Sequence, residues 1–295
     1  MLNPFGVKGS WFRGAIHVHS KNSDGKLPAD ALVNFYKSHG FDFIAITDHW
    51  VITDAIRLSR DDFLVMRGVE FHLGKVQAGT TIHLVALNIP EDFKMPRHEA
   101  TPQEAIDHVR MQGGEIMVAH PYWSGLTIDD LLGLSGYLGI EVFNTGCLRE
   151  RGRGFSMVHW DDLLTLGHDT LGFAVDDSHF HIEDYLGGWV MVKAPSLTQR
   201  DIMEALRSGC FYSSCGPRFL DLRLDGGAIE VTCSPVQTIA FISNPEKGKR
   251  LHIEGKASIS SGWFKPEGKE KYVRVECEDK YGNRAWLNPI RFKQT

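Results

Sequence analysis

The residues that could do chemistry begin with a His-x-His pair in the run Gly14-Ala15-Ile16-His17-Val18-His19-Ser20, with Ser23-Asp24-Gly25 just behind it. Side chains alternate along a strand, so His17 and His19 would leave one face together, an arrangement suited to a metal ion. Such a pair is a weak signal alone. It gains weight because other apolar runs also end in ligand-type residues: Ile44-Ala45-Ile46-Thr47-Asp48-His49, Val69-Glu70, Ile82-His83, Val118-Ala119-His120-Pro121 and Phe173-Ala174-Val175-Asp176-Asp177-Ser178-His179. Six imidazoles and three carboxylates with no thiolate suit Zn, Mn or Fe, and suit neither a structural zinc knot nor an oxygen-only Ca site. Ions a few ångströms apart lower the pKa of a shared water from nearly 16 toward about 7 and draw charge off a substrate's oxygens. Hydrolysis would then need no protein nucleophile. The sequence offers no Gly-x-Ser-x-Gly elbow or P-loop as a rival.

These residues need elements that bring them together. Up to about residue 215, short apolar runs alternate with amphipathic segments. Ala31, Leu32, Phe35 and Tyr36 keep helical spacing before Gly40, and Thr101-Pro102-Gln103-Glu104 is a capping-box start to a helix that Gly113-Gly114 stops. Strands are predicted at Phe43–Ile46, Phe63–Met66, Thr81–Leu87, Glu115–Ala119, Ile140–Phe143, Leu171–Val175 and Trp189–Val192, and a helix from about Thr198 to Arg207 closes the series. Alternation of this kind predicts a parallel sheet closed into a barrel, with functional side chains at the carboxyl ends of its strands. From about Pro217 helical spacing disappears. Short alternating runs at Phe219–Leu224, Ile229–Cys233, Thr238–Ser243, Tyr272–Glu278 and Ala285–Phe292 predict a small antiparallel β-sandwich. It carries no cluster of ligand-type residues and is assigned to packing or oligomer contact.

The set His17-x-His19, Asp24-Gly25, Thr47-Asp48-His49, Gly68-Val69-Glu70, His83, Ala119-His120-Pro121 and Asp177-x-His179 resembles, in order and spacing, the PHP (polymerase and histidinol phosphatase) superfamily of metallohydrolases. Ala194-Pro195-Ser196-Leu197, Leu206-Arg207-Ser208-Gly209-Cys210-Phe211-Tyr212 and Gly216-Pro217 are similar to the end of its CehA/McbA-type branch. The resemblance implies a distorted (β/α)7 barrel over residues 1–216 and an immunoglobulin-like β-sandwich over 217–295, with two or three divalent ions (Zn, Mn or Fe) as cofactors. It implies that His17, His19 and Asp177 hold a first ion, that Glu70 bridges to a second completed by His83 and His120, and that Asp24, His49 and His179 hold a third. Glu70, Asp177 and His179 are then the expected catalytic residues. The last motif departs from the common Gly-Ser-Asp, reading Val175-Asp176-Asp177; spacing to His179 favours Asp177, with Asp176 as the substitute.

Arg149, Arg151 and Arg153 follow a strand end, where guanidinium groups either clamp a substrate phosphate or form a solvated loop. His181 and His72 lie within two residues of expected ligands, and Cys147 could approach the ions although His120 fills the expected place. A net charge of −5 gives no general pull toward nucleic acid or anionic lipid. No apolar run reaches the length of a membrane span, the N-terminus lacks signal-peptide features, and five scattered cysteines fit reduced thiols, which together predict a cytoplasmic protein. The expected activity is a phosphoesterase acting on a small phosphomonoester or nucleotide. The alternatives are a carboxyl- or carbamate-ester hydrolase and a metal-free binding or scaffold module, with a homo-oligomer allowed.

Overall fold

The computed structural model describes residues 3–292. Its first half runs β1 (Ser10–Val18), α1 (Ala29–Ser38), β2 (Phe43–Ile46), α2 (Ala55–Leu58), β3 (Leu64–Leu73), β4 (Ile82–Leu87), α3 (Pro102–Met111), β5 (Glu115–Val118), α4 (Pro121–Ser124) and α5 (Ile128–Leu132). It continues through β6 (Gly139–Asn144), α6 (Thr145–Arg151), α7 (Met157–Thr165), β7 (Leu171–Val175), β8 (Trp189–Ala194), α8 (Gln199–Arg207) and β9 (Phe211–Ser214). Eight more strands follow: β10 (Phe219–Asp225), β11 (Ala228–Val236), β12 (Thr238–Ile242), β13 (Gly248–His252), β14 (Ile259–Phe264), β15 (Tyr272–Glu278), β16 (Arg284–Leu287) and β17 (Ile290–Arg291).

The barrel strands lie in the order β9-β8-β1-β2-β3-β4-β5-β6-β7. Pairs β1/β2, β2/β3, β5/β6 and β6/β7 are parallel, as expected. Pairs β3/β4, β4/β5, β1/β8 and β8/β9 are antiparallel, so the barrel is mixed. The link from β3 to β4 is too short for a crossover helix and makes a hairpin instead. The interior is filled by Ile16, Phe43, Ala45, Met66, Val85, Met117, Phe173, Val175, Val190 and Val192, all buried. Outside, Leu32, Val33 and Tyr36 of α1 pack on Ala15, Ile44 and Val65, and α3 and α7 cover the β4 to β6 side.

No ladder joins β7 to β8 or β9 among the described residues. Side chains close that seam. The Ser213 hydroxyl accepts from Ala174 N–H (2.9 Å) and donates to Gly172 C=O (2.8 Å), while Asn288 Oδ1 accepts from Gly172 N–H (3.1 Å) and Asn288 Nδ2 donates to Phe211 C=O (3.2 Å). At the carboxyl end the ring is completed by backbone bonds from Asp177 N–H to His17 C=O (2.9 Å) and from His19 N–H to Ser178 C=O (3.0 Å).

The tail is a β-sandwich of a three-stranded sheet, β10-β11-β14, packed on β12, β13 and β15 around Phe219, Val231, Ile239, Phe241, Val275 and Leu287. The layer of β12, β13 and β15 is not a separate sheet. Strand β16 pairs with β9, joining the tail to the barrel in one fourteen-stranded sheet. Arg274, on β15, donates to both oxygens of Asp161 on α7 at 2.6 and 2.7 Å, and Trp286 packs its ring on Phe143 of the barrel at 5.8 Å. The expected strand Ala285–Phe292 is interrupted at Asn288-Pro289, where proline brings no N–H to a ladder. No helix among the described residues is long and apolar enough to cross a membrane.

Candidate metal centre

The expected ligands converge at one end of the barrel, which is the carboxyl end of its parallel strands but the amino end of antiparallel β4, where His83 sits. His17 is the penultimate residue of β1, beside a register shift against β2, and His19 follows the strand; their Nε2 atoms lie 3.1 Å apart. Glu70 Oε2, from β3, is 3.0 Å from His17 Nε2 and 3.1 Å from His19 Nε2, and Asp177 Oδ1 is 3.3 and 3.2 Å from the same atoms. Four ligands at about 2.0 to 2.1 Å from a tetrahedral ion stand roughly 3.3 to 3.4 Å from one another. These four buried donors therefore fit one divalent ion almost as they lie.

Glu70 divides its oxygens. Oε1 lies 2.8 Å from His83 Nδ1 and 3.5 Å from His120 Nε2, forming a second group. A third joins Asp24, His49 and His179, with His179 Nε2 3.5 Å and His49 Nε2 3.7 Å from the Asp24 carboxylate and the His19 ring alongside. Nδ1 of His19 and Nδ1 of His49 are buried without hydrogen-bond partners among the described residues, as free ligand atoms would be.

Supporting residues aim these rings. Glu141 is fully buried in β6; His17 Nδ1–H donates to its Oε1 at 2.6 Å, which leaves the Nε2 lone pair for an ion. The second Glu141 oxygen accepts from His120 N–H (2.8 Å) and Asn144 Nδ2 (2.9 Å), and Asn144 Nδ2 also donates to Asp177 Oδ2 (3.1 Å). Ser124 Oγ occupies His120 Nδ1 at 2.9 Å, and His179 Nδ1–H donates to Asp177 C=O at 3.0 Å, so Nε2 is again the free atom in both. Asp48 gathers the loop that carries Asp24 by accepting from Ser20 N–H, Ser20 Oγ and Ser23 Oγ at 2.7, 2.7 and 2.8 Å. His120 and Asp177 have φ of 28° and 54°, a costly conformation outside glycine that functional sites concentrate.

Burial pushes the imidazoles toward neutrality, yet the Asp177, Glu141 and Glu70 carboxylates hold His17 well above its usual pKa. His19 is burdened the same way by burial, but bonds to Asp177 and Glu70 raise it to about 9. Burial prevails at His49, pushing it down to about 4. For Asp24, burial pushes up but is outweighed by the His179, His19 and His49 rings, which hold its carboxyl far below the usual range.

Asp176 is not the ligand. Its carboxylate accepts from Tyr36 Oη (2.7 Å) and from the N–H groups of Leu186, Gly187 and Gly188 (2.8 Å each), facing away from the imidazoles. The three arginines do not line the cavity of about 360 Å³ over the cluster, whose walls include Trp123, Cys147, Glu150, His181 and Ile182, although Arg151 lies over the Trp123 ring. Arg149, Arg151 and Arg153 are exposed; Arg151 pairs with Glu150 at 3.1 Å and Arg153 lies over the Tyr122 ring. No lysine or arginine is among the described residues that line the cavity. His181 does line it and donates from Nε2 to Asp24 C=O at 2.8 Å, whereas His72 sits outside, accepting from Trp50 Nε1. Sequence reasoning missed Glu141, Asn144 and Trp123. The signal for Glu141 was an acid in the middle of the apolar run Ile140-Glu141-Val142.

No family model matches the chain, and no curated protein matches it in sequence. Solved structures do. A two-domain protein from Bacteroides vulgatus, described as containing a predicted PHP-like metal-dependent phosphoesterase, superposes with a TM-score of 0.51 at 15% identity, covering 92% of this chain and 90% of that one. A lesion-specific endonuclease from Pyrococcus furiosus gives 0.48 at 14% identity over 68% of this chain and 56% of its own, and an amidohydrolase from Chromobacterium violaceum gives 0.45 at 15% over 58% and 89%. The first likeness shows the fold alone: over nearly its whole length the chain shares its fold with the Bacteroides protein.

Proposed function

We propose that this chain, with its PHP-like fold, is a metal-dependent phosphoesterase that cleaves a small phosphomonoester or nucleotide. The observation that carries this reading is the group of His17, His19, Glu70 and Asp177, buried donors in which the two imidazole nitrogens lie 3.1 Å apart and 3.0 to 3.3 Å from the two carboxylates, with Glu70 shared toward His83 and His120. Residues that would hold ions are His17, His19, Glu70 and Asp177 for the first, Glu70, His83 and His120 for the second, and Asp24, His49 and His179 for the third. Zn, Mn or Fe would suit these nitrogens and oxygens. Such ions, when bound, supply hydroxide at neutral pH and charge stabilisation at the phosphoryl oxygens.

The chain's own residues do the rest. Glu141 keeps His17 in the tautomer that presents Nε2. Glu70 places one oxygen in each of two groups and so sets their separation, and Asp177 and His179 hold the first and third groups on adjoining positions of one loop. Trp123 stands edge-on to the His120 ring at 4.9 Å and donates from Nε1 to Glu150 at 3.0 Å, giving a fixed aromatic wall for the leaving group.

One observation favours a second reading, hydrolysis of a carboxyl or carbamate ester. With no lysine or arginine in the walls, the protein itself offers little to a doubly charged phosphate. The test is product release by the full chain loaded with Mn, Zn or Fe, assayed on a phosphomonoester panel, a phosphodiester and an aryl acetate. Turnover of phosphate esters over the acetate supports the proposal. Cleavage of the acetate alone would replace it with the second reading.

A further inference from the structure

We propose that Cys147 is a thiolate ligand that joins His120 and Asp177 around a divalent ion. The inference rests on the metal-binding reading above and extends it to a residue that spacing had set aside. Ligand atoms of His120, Cys147 and Asp177 all lie within 4.8 Å of one another, and all three residues are at least nine-tenths buried. Asp177 divides its oxygens: Oδ1 faces the His17 and His19 nitrogens, while Oδ2 is 4.0 Å from Cys147 Sγ and 3.9 Å from His120 Nε2. With Nδ1 bonded to Ser124, His120 turns its other nitrogen to the same space. The sulfur lines the cavity, and its single hydrogen-bond contact among the described residues is the long one to Asp177.

The position is held by residues that also hold the other ligands. Asn144 Oδ1 accepts from Cys147 N–H at 2.8 Å, while Nδ2 of the same side chain binds Glu141 and Asp177. Gly146 lets this turn press close: a Cβ there would stand 2.9 Å from Asp177 C=O. A tetrahedral ion with Zn–S of about 2.3 Å and Zn–N or Zn–O of about 2.0 to 2.1 Å sets sulfur roughly 3.6 Å from its fellow ligands, and Sγ already stands 4.0 Å from Asp177 Oδ2. On binding, the Cys147 S–H bond breaks, the sulfur lone pair forms the metal–sulfur bond and the proton goes to solvent. A soft ligand would bias this position toward Zn, Fe(II) or Co(II) over Mn and Mg.

The test uses the full chain loaded with Co(II). A near-ultraviolet sulfur-to-cobalt charge-transfer band is expected, absent in Cys147→Ser and Cys147→Ala. Chelator competition should show at least about tenfold weaker retention of one ion in those variants, with the Zn-over-Mn preference reduced. Cobalt bound at full stoichiometry with no charge-transfer band overturns the inference while leaving the metal-binding reading intact. Failure of the parent protein to bind cobalt or zinc at all overturns both.

Discussion

Glu141→Gln changes one atom in a fully buried carboxylate and bears directly on how the first ion would be held. One Glu141 oxygen accepts from His17 Nδ1–H at 2.6 Å and the other accepts from His120 N–H and Asn144 Nδ2 at 2.8 and 2.9 Å. An amide cannot serve both sides. If its NH2 faces His17, the imidazole must accept at Nδ1, which moves the proton to Nε2 and blocks ligation. If it faces the other way, two donors confront a third. Loss of an outer partner of a metal-bound histidine typically costs 10- to 100-fold in affinity, about 1.4 to 2.8 kcal/mol. The disrupted buried bonds cost about 1 to 3 kcal/mol of stability, a shift in Tm of several degrees for a chain of this size. Chelator competition with Zn, alongside calorimetry of metal-free protein, measures both. An affinity within twofold of the parent together with an unchanged Tm would refute the idea that Glu141 aims His17.

Glu70→Ala should lose two ions and essentially all turnover, while His179→Ala should lose one; plasma mass spectrometry of metal content separates them, and full occupancy in Glu70→Ala contradicts the bridging assignment. In metal-free protein, His19 carries a pKa raised from 6.5 to about 9, so its stabilising contribution is complete below pH 6.5 and fades as pH rises through about 9. Metal affinity should move oppositely, strengthening over that interval as the ring gives up its proton, which titration calorimetry in buffers of different ionisation enthalpy would register. Alanine at Arg149 or Arg153 should leave kcat/KM for a phosphomonoester within about twofold, since neither lines the cavity; a selective tenfold loss would restore the phosphate clamp.

The convergence of the ligand-type residues was legible because metal chemistry restricts residue types and barrel geometry restricts where they sit. His17, His19, Asp24, His49, Glu70, His83, His120, Asp177 and His179 all reach one cluster. Strand direction was less legible. Alternation of strand and helix does not encode it, as β8, α8 and β9 show by making an antiparallel pair across a helix. The β3 to β4 link, too short to cross over, makes a hairpin that the expected parallel barrel did not include. Strand β13 escaped notice because Gly248-Lys249-Arg250-Leu251-His252 is mostly polar, as suits an edge strand that must not recruit another chain. Asn288 could not be assigned to the barrel because its partners, Gly172 and Phe211, lie 116 and 77 positions away.

That stitched seam has a mechanical meaning. The strand β7 leads directly to Asp177, and its free edge is moored to Ser213 and, through Gly172, to Asn288 at the far end of the chain. Cutting the protein at residue 216 would keep Ser213 but remove Asn288, so the tail acts as a girth strap for the barrel. Strain applied to the tail, for instance by a second copy gripping its outer sheet, would reach Asp177 through a single strand without anything entering the cavity.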